Sequence, residues 1–97
     1  KMDVTKEQIK QWKAKYKEVF VLRVDDKVAY LRTPDRATLS YASTLATKDP
    51  MKFNEAILTN CWLGGDEEIK TDDALFLSAS SKLGELIQIK EATLEKL

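Results

Sequence analysis

The side chains that most readily do nucleophilic or acid–base chemistry near neutral pH are histidine and cysteine, and this 97-residue chain has none of the first and one of the second. Cys61 is the one cysteine, set in "ILTNCWLGG" beside Trp62 and just ahead of Gly64 and Gly65. A cysteine near a helix N-terminus or a cation loses its proton readily and becomes a nucleophile. Cys61 stands instead near the end of a predicted helix, where the helix dipole disfavours negative charge. No lysine or arginine lies within eight residues of it. The residue types therefore point to a small buried hydrophobe, with Gly64 as the left-handed residue that stops the helix.

The chain contains no histidine. That excludes Ser-His-Asp and Cys-His catalysis and every zinc site with imidazole ligands. Phosphate-cradling glycine patterns are also missing, since "LGGD" holds the one glycine pair. Asp66, Glu67, Glu68, Asp72 and Asp73 could offer oxygen ligands to a divalent cation. They lack the alternating pattern and the glycine of a calcium loop, and Asp72 and Asp73 fit better as first-turn acids of a helix. No catalytic residue, metal or cofactor is assigned. The chain reads as a non-enzyme.

Lys6, Lys10, Lys13 and Lys17 recur at helical spacing and make a basic stripe that could contact phosphates or an acidic partner. Arg32 and Tyr30 could add a cation and a stacking ring. The charge is uneven: residues 1–36 hold ten Lys/Arg against six Asp/Glu, and residues 37–97 hold six against ten. Overall the net charge is zero and no nucleic-acid motif occurs. A solvated face explains the stripe more simply, and a small nucleic-acid-associated accessory protein using the basic half is the alternative function.

The elements that must position these residues follow from periodicity. At 43% apolar and 33% charged, the chain has the composition of one folded domain, expected over residues 1–97. No apolar run reaches the roughly 20 residues of a membrane helix. The opening "KMDVTKEQIKQ" has no hydrophobic stretch, so no secretory leader and a cytoplasmic location are expected.

Thr5 and Gln8 form a capping box for a first helix carrying Ile9, Trp12 and Tyr16 on one stripe. "EVFVLRV" and "KVAYLRT", separated by Asp25 and Asp26, read as a β-hairpin. Phe20, Leu22 and Val24 share a face of the first strand, and Ala29 and Leu31 a face of the second. A hairpin alone is marginal and must pack on helices or gain strands from a second copy. Thr33-Pro34 and Asp49-Pro50 each start a further helix, with the proline in the first turn. From about Asp72 the remainder reads as one long helix, or two abutting ones, with Phe76, Ala79, Leu83, Leu86, Ile87, Leu94 and Leu97 at helical spacing. The expected fold is α+β: mostly helical with one β-hairpin, ordered helix, hairpin and three helices, the last one long.

That last helix carries more apolar positions than one narrow stripe, so either part of it is left uncovered to bind a partner or a second copy, or the other helices cover it fully.

The stretch "DPMKFNEAILTNCWLGGDEEIKTDDALFLSASSKLGELI", residues 49–87, resembles small tail-assembly chaperones encoded by bacteriophages and prophages. The likeness lies in a proline-started helix ending in Cys-Trp-Leu-Gly-Gly, an acidic connection and a closing segment with Leu-Gly-Glu-Leu-Ile. The preceding "VAYLRTPDRATLSYA" fits as a strand entering a helix through Arg-Thr-Pro. The resemblance implies a non-enzymatic protein of the host bacterial cytoplasm that coats a long helical client, the tape-measure protein, and keeps it soluble until the tail tube assembles. Such a protein needs exposed apolar surface and a tendency to self-associate. The residues expected to face the client are Trp62, Leu83, Leu86, Ile87 and Leu94.

Overall fold

The computed structural model describes residues 4–87 and 92–97. Helix α1 (Lys6–Lys15) leads into strands β1 (Val19–Val24) and β2 (Lys27–Arg32). Helices α2 (Arg36–Ala46) and α3 (Pro50–Cys61) follow, then strand β3 (Trp62–Gly65). A short helix α4 (Glu68–Thr71), helix α5 (Asp73–Ser80) and a single 3₁₀ turn (Leu83–Leu86) complete the elements. The architecture is α+β: helices packed on an antiparallel three-stranded sheet of order β1-β2-β3.

Local chemistry sets most boundaries. The Thr5 hydroxyl accepts from the Gln8 N–H at 3.1 Å and caps α1. Asp49 caps α3 with Pro50 in its first turn, and the Asp72 carboxylate accepts from the Leu75 N–H to cap α5. At α2 the cap is Asp35, whose carboxylate accepts from the Thr38 N–H at 2.8 Å. Thr33 was the expected cap, but Pro34 is buried and the helix starts two residues beyond it. Carboxylate and hydroxyl are both good N-caps, and here the acid two residues further along, next to the first helical residue, takes the role.

The hairpin closes on Val24 paired with Lys27 around Asp25-Asp26, with Asp25 at φ 53°. Aspartate tolerates that left-handed position better than most residues. Phe20 opposes Leu31 and Leu22 opposes Ala29, so the expected core face stands as read.

Besides the α2 cap, three elements depart from the sequence reading: a third strand, a broken last helix, and the short helix α4 where an acidic connection was expected. The helix that ends at Cys61 passes directly into a third strand, and this strand makes the hairpin a sheet. Its residues pair Leu31 with Trp62 but Tyr30 with Gly64, so Leu63 is the extra residue of a β-bulge. Gly64 is therefore a strand residue; the positive φ belongs to Gly65, at 128°.

The long last helix is also broken. Helix α5 stops at Ser80, the Ser81 hydroxyl donates to the Ser78 carbonyl at 2.7 Å, and Leu83–Leu86 form the 3₁₀ turn. Serines at 78, 80 and 81 offer the backbone local alternatives to helix, and Gly84 adds little helical preference. The expected continuation through residues 88–91 lies outside the described residues, and residues 92–97 carry no helix.

One core joins the elements. Leu31 of β2, Ile57, Leu58 and Cys61 of α3, and Ile69 of α4 are all fully buried. Ala42 of α2, Ala79 of α5 and Leu83 and Leu86 of the 3₁₀ turn join them. Each large aliphatic side chain so buried contributes roughly 1.5–3 kcal/mol. Helix α3 touches both β2 and α2, and α5 lies against β1. Helix α1 sits on the opposite, outer side of the sheet, with the Trp12 ring 5.7 Å from that of Tyr30.

Candidate interaction surface

The five residues expected to face a client are not brought together on one face. Leu83 and Leu86 are each only 3% exposed, because the helix break turns both inward under the sheet. They belong to the core and not to the surface. Ile87 is half-buried at the end of the 3₁₀ turn. Leu94 is fully exposed but belongs to no helix, so it presents no ridge. Trp62 is half-buried at the start of β3, and the Lys70 ammonium lies 4.4 Å from its ring centroid. That cation–π contact covers part of the ring.

The basic stripe is shorter than expected. Lys6, Lys10 and Lys13 are exposed along α1. Lys17 lies past the end of the helix, because Tyr16 is already extended at φ −113°, ψ 149°. Arg32 is used internally: its guanidinium donates to the carbonyls of Thr33 at 3.1 Å and Asn60 at 2.8 Å. It thereby ties β2 to the C-terminal turn of α3, where a cation is favoured. Tyr30 is half-buried beside Trp12.

Cys61 is buried in the core, and burial pushes its thiol pKa up. The acidic residues separate into individual tasks. The Asp66 carboxylate accepts from the Val28 N–H at 2.9 Å. Glu67 pairs with Lys70 at 2.8 Å, and Glu68 pairs with Lys27 at 3.2 Å. Asp72 is the α5 cap. No set of three or more His, Cys, Asp or Glu side chains gathers into a metal-binding group among the described residues.

What the fold does leave open is the outer face of α3. Two shallow grooves flank it. One, of about 440 Å³, is lined by Tyr41 and Leu45 of α2 and Ala56, Thr59 and Asn60 of α3. The other, of about 340 Å³, is lined by Asp49 and Met51 on one side and Asp73, Phe76 and Leu77 on the other. Lys52 and Glu55 line both grooves, and their ion pair at 3.3 Å forms the ridge between them.

Tyr41, Met51 and Leu77 are 54%, 40% and 55% exposed. Isolated exposed apolar residues are ordinary on a protein surface; three beside paired grooves form a shallow, partly apolar surface.

The sequence held a usable signal for this surface. Leu77 falls off the Phe76–Ala79–Leu83 stripe, and Met51 sits a turn ahead of the buried arc of α3. Reading apolar residues that miss the core stripe, in place of those that follow it, would have found both. Compared with known protein families, with curated proteins and with solved structures, the chain matches none.

Proposed function

We propose that this chain is a non-enzymatic binding protein that shields a helical client, in the manner of a phage or prophage tail-assembly chaperone acting in the bacterial cytoplasm on a tape-measure protein. The observation that carries the reading is the pair of grooves on α3, edged by exposed Tyr41, Met51 and Leu77 and separated by one ion pair. An amphipathic client helix would set its apolar residues in the grooves and its charged residues against Lys52, Glu55, Asp49 and Asp73. Such a contact supplies apolar burial with little ordering of the chaperone itself. The likeness of residues 49–87 to these chaperones supports the same assignment.

Co-expression tests it. A phage tape-measure protein co-expressed with the chain should stay soluble when the chain is present and aggregate when it is absent. The double substitution M51D/L77D should abolish that protection while leaving the circular dichroism and thermal midpoint of the chain near wild type. A client equally soluble with and without the chain, or protected equally by the double variant, refutes the proposal.

A further inference from the structure

The sheet has two edges, and they are built differently. β3 is four residues long, carries the Leu63 bulge, and ends in two glycines. Short length and a bulge are devices that blunt an edge. β1 is six residues, VFVLRV, with no proline and no bulge in its pairing to β2. Val21, at its middle, is 46% exposed.

Val24 pairs with Lys27 across a two-residue turn, which makes it a mutually hydrogen-bonded pair and directs the N–H and C=O groups of Phe20, Leu22 and Val24 toward β2. The groups of Val19, Val21 and Arg23 point outward, where no strand is paired among the described residues. A groove of about 300 Å³ runs beside this edge, lined by Phe20, Leu22, Leu83 and Leu86 among others.

We propose that this edge pairs with the same edge of a second copy, β1 antiparallel to β1 about a two-fold axis through Val21, to give a continuous six-stranded sheet. Charge selects both the occupant and the register. With Val21 opposite itself, Val19 opposes Arg23, Phe20 opposes Leu22 on the core face, and Lys17, in the bend just before the strand, comes near Asp25 in the turn of the other copy. A shift by two residues one way sets Lys17 against Arg23. The opposite shift carries Lys17 past the end of β1, because the chain has already turned into β2 at Lys27, and brings Glu18 up to the Asp25–Asp26 turn. One register therefore carries two attractive pairs, and both neighbours carry repulsive ones, which disfavour cross-strand pairing. The Phe20–Leu22 pairs join the two apolar grooves across the axis. The dimer contact lies on the sheet edge and leaves the α3 grooves free.

The test is the oligomeric state of the full chain by light scattering and sedimentation, at concentrations up to about 200 µM. The wild type should dimerise, and should do so more weakly at high salt. V21P removes one outward N–H and leaves the β2 ladder intact, so it should be monomeric with unchanged circular dichroism. K17E should weaken the dimer by about tenfold, the effect of turning two attractive pairs repulsive.

Mild oxidation supplies a register test that does not depend on V21P folding. Paired Val21 positions have Cα atoms about 5.5 Å apart, within disulfide reach. V21C should therefore cross-link into a covalent dimer. In R23C the two positions lie four residues apart, roughly 13 Å, and should not cross-link. A wild-type chain that is monomeric at the top concentration overturns the proposal. So does a dimer that V21P leaves intact, or one in which R23C cross-links as readily as V21C.

Discussion

Val28 and Asp66, separated by 38 positions, exchange two hydrogen bonds: the Asp66 N–H donates to the Val28 carbonyl at 2.8 Å, and the Val28 N–H donates to the Asp66 carboxylate at 2.9 Å. The side chain of Asp66 takes the place that a further β3 carbonyl would have filled. It ends the strand while satisfying the donor of its neighbour, and the chain then turns into α4.

Asp66 is only 6% exposed, so its loss leaves the Val28 N–H without a partner away from water. D66A should lower unfolding free energy by about 2 kcal/mol, whereas D66N keeps an acceptor and should cost less than about 1 kcal/mol. Urea unfolding of the two variants measures the difference. Equal losses would show that the carboxylate is not acting as an acceptor for β2.

The glycines should respond in opposite directions. A Cβ on Gly65 would lie 2.3 Å from the Val28 carbonyl oxygen, at a φ of 128°. G65A should destabilise by about 3 kcal/mol or more, since neither the backbone oxygen nor the left-handed conformation can yield cheaply. A Cβ on Gly84 meets nothing within 4 Å. G84A should stabilise by about 0.4–1 kcal/mol by narrowing the unfolded ensemble. Thermal melts of both variants check the pair of signs.

Cys61 is buried and its thiol pKa is raised by that burial. Labelling by a thiol reagent near neutral pH should be slow in the folded chain and fast in denaturant. The proton linkage has a definite sign. Above the unfolded thiol pKa the unfolded chain has released its proton while the folded chain keeps it, so stability falls as pH rises through that window. C61A should flatten this alkaline limb.

At the α2 cap the sign reverses. The Thr38 N–H holds the Asp35 carboxyl below its usual value of 3.8. The stabilisation is complete above that value and is lost as pH falls through the lower, folded one. Melting curves of D35A and wild type should therefore separate at pH 7 and converge in acid. D35N also caps, and should keep the neutral-pH midpoint while weakening the acid dependence. Parallel wild-type and D35A curves at every pH would refute the cap's role.

The elements driven by local chemistry were legible in the sequence. Asp49-Pro50, the Thr5 cap and the alternation of Phe20, Leu22 and Val24 each set an element by short-range rules, and each stands in the structure. Strand β3 was hidden because WLGG has no alternation, and two glycines weigh against a strand; pairing with Ala29, Tyr30 and Leu31 overrides both.

The break after Ser80 was hidden for the converse reason. Leu83 and Leu86 keep helical spacing in sequence, yet a 3₁₀ turn buries them just as well. Leu83 and Leu86, which helical spacing puts on an exposed ridge, therefore belong to the core.

The seat of Trp12 has a further consequence. α1 buries no residue completely; it is held on the outer side of the sheet by contacts such as Trp12, whose ring lies over Gly64 and beside Tyr30. Lifting that helix away breaks no part of the core on the other side, so its free energy is a fraction of global unfolding. The two sides of one thin sheet thus live on separate energy scales, and amide hydrogen exchange should find α1 opening many times for each opening of α3.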